Sequence, residues 1–215
     1  MTAAAARLPE ARQKRSRDTL RRILDAFEAA LQERLFDEIT VGDLCTRAGC
    51  SVGSFYGRVE SKEALLEELR LRIFADAGAT LAQLSSPEFA ASHSLSELVR
   101  EQARALVAFH HAHRGAIRAL VVQARRNIAF SERARVFNAV VLRRVADSWL
   151  LHRAAIRHPH PELAVEQAVL MLAGWLRESI VFRELWPTSL ALEQAAYTDE
   201  MHRLVIAYLC VETPS

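Results

Sequence analysis

Apolar residues recur every three to four positions along most of this 215-residue chain, and no segment alternates apolar with polar. That periodicity predicts helices throughout and no strands. A first helix over about 16–34 carries the stripe Leu20, Ile23, Leu24, Phe27, Ala30 and Leu31, with Phe36 and Ile39 packing the connection after it. Two short helices follow at about 41–48 and 52–58. A fourth starts at Ser61 and carries Leu65, Leu66, Leu69, Ile73 and Phe74 towards residue 83. Residues 85–96, SSPEFAASHSLS, read as the clearest linker. Five further helical stretches are expected at about 95–111, 114–129, 131–157, 162–185 and 190–211. The His158-Pro159-His160-Pro161 break and Pro187 punctuate them, because residues before proline are pushed out of the helical region. The reading is all-α with about nine helices, divided into residues 1–78 and 79–215.

One stretch, TVGDLCTRAGCSVGSFYGRVESK over 40–62, departs from plain amphipathic helix. Thr40 with Asp43 three positions on is a capping-box pattern. Val41, Leu44, Cys45 and Ala48 make one apolar face. Gly49 supplies the backbone freedom that a tight inter-helix turn needs. Ser51 reads as the cap of the second helix, which turns Phe55 inward and Val52, Gly53 and Ser54 outward. A helix tipped with small side chains can bring its backbone close to base edges in a major groove about 12 Å wide.

Ile39-Thr40-Val41, Leu44, Ala48-Gly49, Ser51, Gly53-Ser54-Phe55-Tyr56 and Ser61-Lys62-Glu63-Ala64-Leu65 stand in the order and spacing of the DNA-binding signature of TetR-family regulators. The first 75 or so residues resemble that family, apart from Val59 where an aromatic is usual, Gly57-Arg58 in place of its common pair, and Gly42 inside the first motif helix. The resemblance implies an N-terminal helix-turn-helix domain and a C-terminal helical domain that binds a small molecule and forms a homodimer through the last two helices. It also implies repression of a palindromic operator, lifted when the ligand changes the separation of the two DNA-reading helices. Residues matching Tyr56 and Lys62 touch phosphates in that family. With Thr40 they are the expected positioning contacts, and Ser51, Val52, Gly53 and Ser54 the expected base readers. Arg47 and Arg58 are placed to meet either phosphate or base.

Net charge is only +2, so overall charge gives no argument for a nucleic acid. Its distribution does. Between Arg7 and Arg22 seven cations face two acids, and Lys14, Arg15 and Arg17 lie at the centre of that run. The stretch suits either a solvated tail or a basic arm reaching the duplex; the helix-turn-helix behind it favours the arm. No run of about 18 apolar residues and no secretory leader is visible, so the expected location is cytoplasmic.

Candidate linings of a ligand pocket among the fourth to eighth helices are the aromatics Phe74, Phe109, Phe130, Phe137, Trp149, Trp175 and Phe182, all of which also suit a core. Polar candidates are His110, Gln123, Arg126, Asn127 and Arg177. The stretch 168–175 is apolar on nearly every side, which asks for burial on both faces, by a partner subunit or an inner layer. Cys45, Cys50 and Cys210 show no metal spacing. Cys45 reads as core and Cys50 as either a plain turn residue or a redox-sensitive thiol. His110, His111 and His113 lack a complete ligand set, so neither metal nor cofactor is expected. Phosphate loops, paired catalytic carboxylates and nucleophile elbows are missing, which argues against an enzyme. A constitutive helix-turn-helix adaptor or activator without an inducer is the alternative.

Overall fold

The computed structural model describes residues 10–187 and 192–210, with side chains from residue 14 onward. The regular structure among the described residues is all helical, with no strand. Among the described residues ten α-helices run in order: α1 (Glu10–Glu33), α2 (Val41–Ala48), α3 (Val52–Tyr56), α4 (Lys62–Leu84), α5 (Pro87–Ala91), α6 (Leu95–Ala112), α7 (Arg114–Arg126), α8 (Ile128–Leu150), α9 (Pro161–Leu176) and α10 (Gln194–Cys210). The backbone falls into two compact units, residues 1–72 and 73–215.

The first unit is built on the stripe the periodicity marks. Ile23, Phe27, Ala30 and Leu31 of α1 are buried with Leu44, Cys45 and Ala48 of α2 and Phe55 of α3. Phe36 and Ile39 close the connection, and the Phe27 and Phe36 rings meet edge to face at 6.1 Å. Val59, where an aromatic was the family norm, is 4% exposed, so the smaller side chain still serves as core. Arg72 forks between Asp25 and Glu28, 2.5 Å from each, and ties the end of this unit's share of α4 to α1.

The second unit has one core, to which α6, α8, α9 and α10 contribute Leu98, Val107, Val145, Val165, Leu172, Met201 and Val205. A polar node lies inside it. Gln102 accepts from the Trp149 indole at 2.7 Å, and its amide nitrogen donates to the Leu84 carbonyl at 2.9 Å and to Ser148 Oγ at 3.1 Å. With Gln102 at 1% and Trp149 at 1% exposure, these bonds stand in for water the groups have lost.

Several boundaries differ from the sequence expectation. Helix α1 begins at Glu10, well before Ser16, so Lys14, Arg15 and Arg17 are exposed residues of a helix and not of an arm ahead of it. Glu, Ala, Arg, Gln and Lys are all good helix formers, and their intrinsic preference outweighs the charge repulsion. Residues 1–9, with Arg7, lie outside the described residues. The expected linker contains α5, a single turn started by Ser86 as cap and Pro87 at the first position. Asn127 caps α8 by accepting from the Phe130 amide at 3.1 Å, which moves that helix start from 131 to 128. The helix expected over 162–185 stops at Leu176, passes through a π turn over Arg177–Val181 and ends in a 3-10 turn over Arg183–Leu185.

Candidate nucleic-acid interface

Two capped helices and one left-handed residue make the motif. Thr40 Oγ1 accepts from the Asp43 amide at 3.1 Å, and the Asp43 carboxylate accepts from the Thr40 amide at 3.1 Å, so the capping box is complete. Those bonds, the Thr40 backbone bond foremost, hold the Asp43 carboxyl below its usual range. Helix α2 ends at Gly49, whose φ of 61° and ψ of 47° are left-handed and suit glycine. The Cys50 amide donates to the Cys45 carbonyl at 3.0 Å and the Gly49 amide to the Thr46 carbonyl at 3.3 Å. That pair of bonds is a Schellman closure of the helix. Ser51 then caps α3, accepting from the Ser54 amide at 3.1 Å.

Helix α3 is five residues long and buries one of them. Phe55 has no exposed surface, so its ring fixes the roll of the helix about its axis. Burying it stabilises by about 2–3 kcal/mol. With Phe55 inward, Ser51, Gly53, Val52 at 48% and Tyr56 at 54% exposure share the outer surface. A Cβ added at Gly53 meets nothing within 4 Å. The fold has room for alanine there, and glycine in a helix costs about 1 kcal/mol against alanine. No neighbour in the protein accounts for a glycine at this place.

The three cations named at the motif are each engaged within the unit. Arg47 forms a forked pair with Glu33, with 2.5 Å for the shorter contact; the pairing draws Glu33 below and Arg47 above their ordinary ranges. Arg58 donates to the Ser54 carbonyl at 2.6 Å, to Ser54 Oγ at 2.8 Å and to the Ser16 carbonyl at 3.3 Å, so it stitches α3 to α1. Lys62 Nζ donates to the carbonyls of Phe36 and Ile39, both at 2.8 Å, and lies 4.3 Å from the centre of the Phe36 ring. A cation at a helix start opposes the helix dipole and argues from sequence for an external anion; two backbone carbonyls and an aromatic face supply that compensation internally. The Glu33–Arg47 and Ser16–Arg58 contacts span 14 and 42 positions, so no local sequence signal marks them.

The ligand candidates sort into groups. Phe74, Phe109 and Phe137 come together: Phe74 stacks on Phe137 at 4.2 Å and lies 6.1 Å from Phe109, whose other neighbours are His113 at 4.9 Å and His110 at 5.7 Å. His110 is half-buried, its Nδ1 2.8 Å from the Leu106 carbonyl, and the loss of water around the ring pushes its pKa down. Trp149 and Phe130 are buried side chains, Trp149 belonging to the Gln102 node. Trp175 packs edge-on to Tyr197 at 6.0 Å, and Arg177 pairs with Glu178. Asn127 is occupied as a cap, Arg126 is exposed, and Gln123 and Phe182 are half-buried. Among the described residues no three His, Cys, Asp or Glu side chains converge as metal ligands do. No helix among them is long and apolar enough to cross a membrane.

Residues 23–69 match the family model described as bacterial regulatory proteins, tetR family. No curated protein sequence matches the chain. Among solved structures, a putative TetR-family transcriptional regulator from Mesorhizobium loti is similar with a TM-score of 0.67 at 21% identity, over 90% of this chain and 96% of that one. A putative TetR-family regulator from a Rhodococcus species gives 0.68 at 16% identity, over 90% and 99%. The regulator FadR from Bacillus subtilis, solved in complex with stearoyl-CoA, gives 0.64 at 13% identity, over 87% and 98%. At these identities the likeness is one of fold.

Proposed function

We propose that this chain, whose residues 23–69 match the tetR-family model and whose fold is that of TetR-family regulators, is a ligand-responsive transcriptional repressor acting from the cytoplasm as a homodimer. The observation that carries the DNA half of this reading is the outer surface of α3. Ser51, Val52, Gly53 and Tyr56 are all exposed, and Gly53 has open space where its side chain would be. A bare backbone there fits close approach to base edges, with Val52 reading a thymine methyl or excluding a base, and the Tyr56 hydroxyl meeting a phosphate. Thr40 presents a helix start to the same backbone. Lys14, Arg15 and Arg17, exposed on α1, add positive charge at this end. Arg47, Arg58 and Lys62 enter the reading chiefly as residues that hold the motif together: Arg47 ties α2 to α1, Arg58 ties α3 to α1, and Lys62 ties the start of α4 to the connection after α1.

The dimer half rests on α9 and α10. Leu163, Leu170 and Met171 fall at i, i+7 and i+8 of α9 and are each more than half exposed, as is Leu204 of α10, which packs beside it. An apolar face of that kind on two neighbouring helices is what a second copy would cover. In this reading one face of 168–175 is core and the other is the face that the second copy covers. Two copies read half-sites about one helical turn, 34–36 Å, apart or a multiple of it.

For the ligand, the Phe74–Phe109–Phe137 cluster with His110 and His113 at its edge favours an apolar or aromatic molecule with one polar end. The stearoyl-CoA bound by the structural relative makes long-chain acyl thioesters the first compounds to screen. The test is selection of bound duplexes from a random pool, then a screen for molecules that release the selected complex. A palindromic consensus and at least one releasing compound are expected. A pool that stays random, or a consensus without dyad symmetry, would overturn the proposal.

A further inference from the structure

The Schellman closure at the end of α2 has a chemical consequence. Its 6→1 hydrogen bond joins Cys50 to Cys45 at 3.0 Å. Side chains at these two positions of the motif habitually touch, and elsewhere the contact is a plain apolar one. Here both are thiols, and both are free. Bond lengths cap their Cα separation at roughly 7 Å, and the bend at the carbonyl brings it inside the span of roughly 4.4–6.8 Å that disulfides bridge. We propose that Cys45 and Cys50 are a redox-modification site: a hydroperoxide converts them to an intramolecular disulfide that weakens DNA binding. The regulatory arm of this inference rests on the DNA-binding reading given above; the chemical arm does not.

The two cysteines differ in ways that assign their roles. Cys45 is 4% exposed in the core under α2, and its burial, then the neighbouring Cys50 thiol, push its pKa up. Cys50 is half-buried on the turn and open to a small oxidant. Arg22 Nη1 lies 3.5 Å from where a Gly49 side chain would begin, so a guanidinium sits over the residue before Cys50. It can stabilise the negative charge that develops on the departing peroxide oxygen. The Cys50 sulfur attacks the peroxide, the O–O bond breaks, and sulfenic acid and water form. The Cys45 sulfur then displaces hydroxide from Cys50, which leaves as a second water with the thiol proton. Two thiols lose two hydrogens and two electrons, and one hydrogen peroxide becomes two waters.

Covalent closure acts on the DNA surface because Cys50 directly precedes Ser51, the cap that starts α3. Drawing the Cys50 sulfur onto a buried partner pulls the cap and the helix tip with it.

The sequence offers a direct assay. Trypsin cuts after Arg34, Arg47 and Arg58, so Cys45 and Cys50 fall on separate peptides, 35–47 and 48–58. The full-length protein is treated with hydrogen peroxide, alkylated, digested without reductant and examined by mass spectrometry, while duplex affinity is measured on the same sample. The expected result is a 35–47/48–58 linked species, about 2 Da lighter than the sum of the two, with at least a tenfold loss of affinity. Dithiothreitol should reverse both, and Cys50→Ser should show neither. Oxidation of Cys50 to sulfinic acid without linkage overturns the site. Linkage with unchanged affinity overturns the switch. Reduced protein that never binds a duplex would instead contradict the DNA-binding reading and leave the linkage result to stand alone.

Discussion

Replacing Lys62 by methionine separates two roles that the sequence alone runs together. The stem stays and the ammonium goes. Two charge-assisted bonds to the Phe36 and Ile39 carbonyls, 2.8 Å each, are lost together with the contact to the Phe36 ring. Each bond to a charged group contributes about 1.5–3 kcal/mol. Lys62 is half-buried, so water can reach part of what it leaves behind and the lower figure applies. The ring contact adds about 0.5 kcal/mol. Release of an ordered lysine returns about 1–1.5 kcal/mol. The net is a loss of about 2 kcal/mol, which for a chain of this size lowers the melting temperature by roughly 4–8 °C. The assay is a thermal melt of Lys62→Met beside the wild type, followed by circular dichroism, with duplex affinity measured over a range of salt. If Lys62 is a clamp, the melt shifts and the slope of log affinity against log salt stays. If it is a phosphate ligand, the melt holds and the slope falls by about 0.9. The second outcome would refute the structural assignment.

Three further outcomes follow from the same geometry. Gln102→Leu leaves the Trp149 indole without its acceptor and the Leu84 carbonyl without its donor, and should cost about 2–4 kcal/mol in urea unfolding followed by tryptophan fluorescence; a loss under about 1 kcal/mol would mean the node is not buried as described. Leu170→Arg places a charge on the exposed apolar face of α9 and should turn a dimer into a monomer by sedimentation while leaving the helical content intact. Burial depresses the pKa of His110, so its neutral form is the one the fold accepts. Stability is then fully present above the ordinary histidine value of about 6.5 and is lost as pH falls below it, and a melting temperature unchanged between pH 7.5 and 5.5 would contradict this.

What the sequence made legible is what local rules govern. Thr40, Gly49 and Ser51 occupy the cap, the left-handed position and the second cap that their residue types announce. The helical stripe of α1 and the inward turn of Phe55 follow from spacing alone. Contacts between distant segments did not announce themselves. Arg58 reads from sequence as a cation placed to meet phosphate or base, and its acceptors within the protein, one turn away on α3 and 42 positions back on α1, are not visible there. Arg47 meets a carboxylate on another helix. The aromatic candidates suffered the same limit: Phe74, Phe109 and Phe137 converge while Trp149 serves the core, and nothing in their local spacing distinguishes them. Helix ends set by one side chain, as at Asn127, moved by a few residues. The π turn after Leu176 has no residue pattern that marks it in advance.

Gly53 provides the sharpest test of the DNA-reading surface. Alanine fits there without touching any neighbour within 4 Å, and it raises helix preference by up to about 1 kcal/mol. Gly53→Ala should therefore melt at the wild-type temperature or slightly above it, yet bind the selected duplex at least tenfold more weakly, because the added methyl stands where the bases must come. Equal affinity in a variant of equal or greater stability would mean that no duplex approaches the tip of α3.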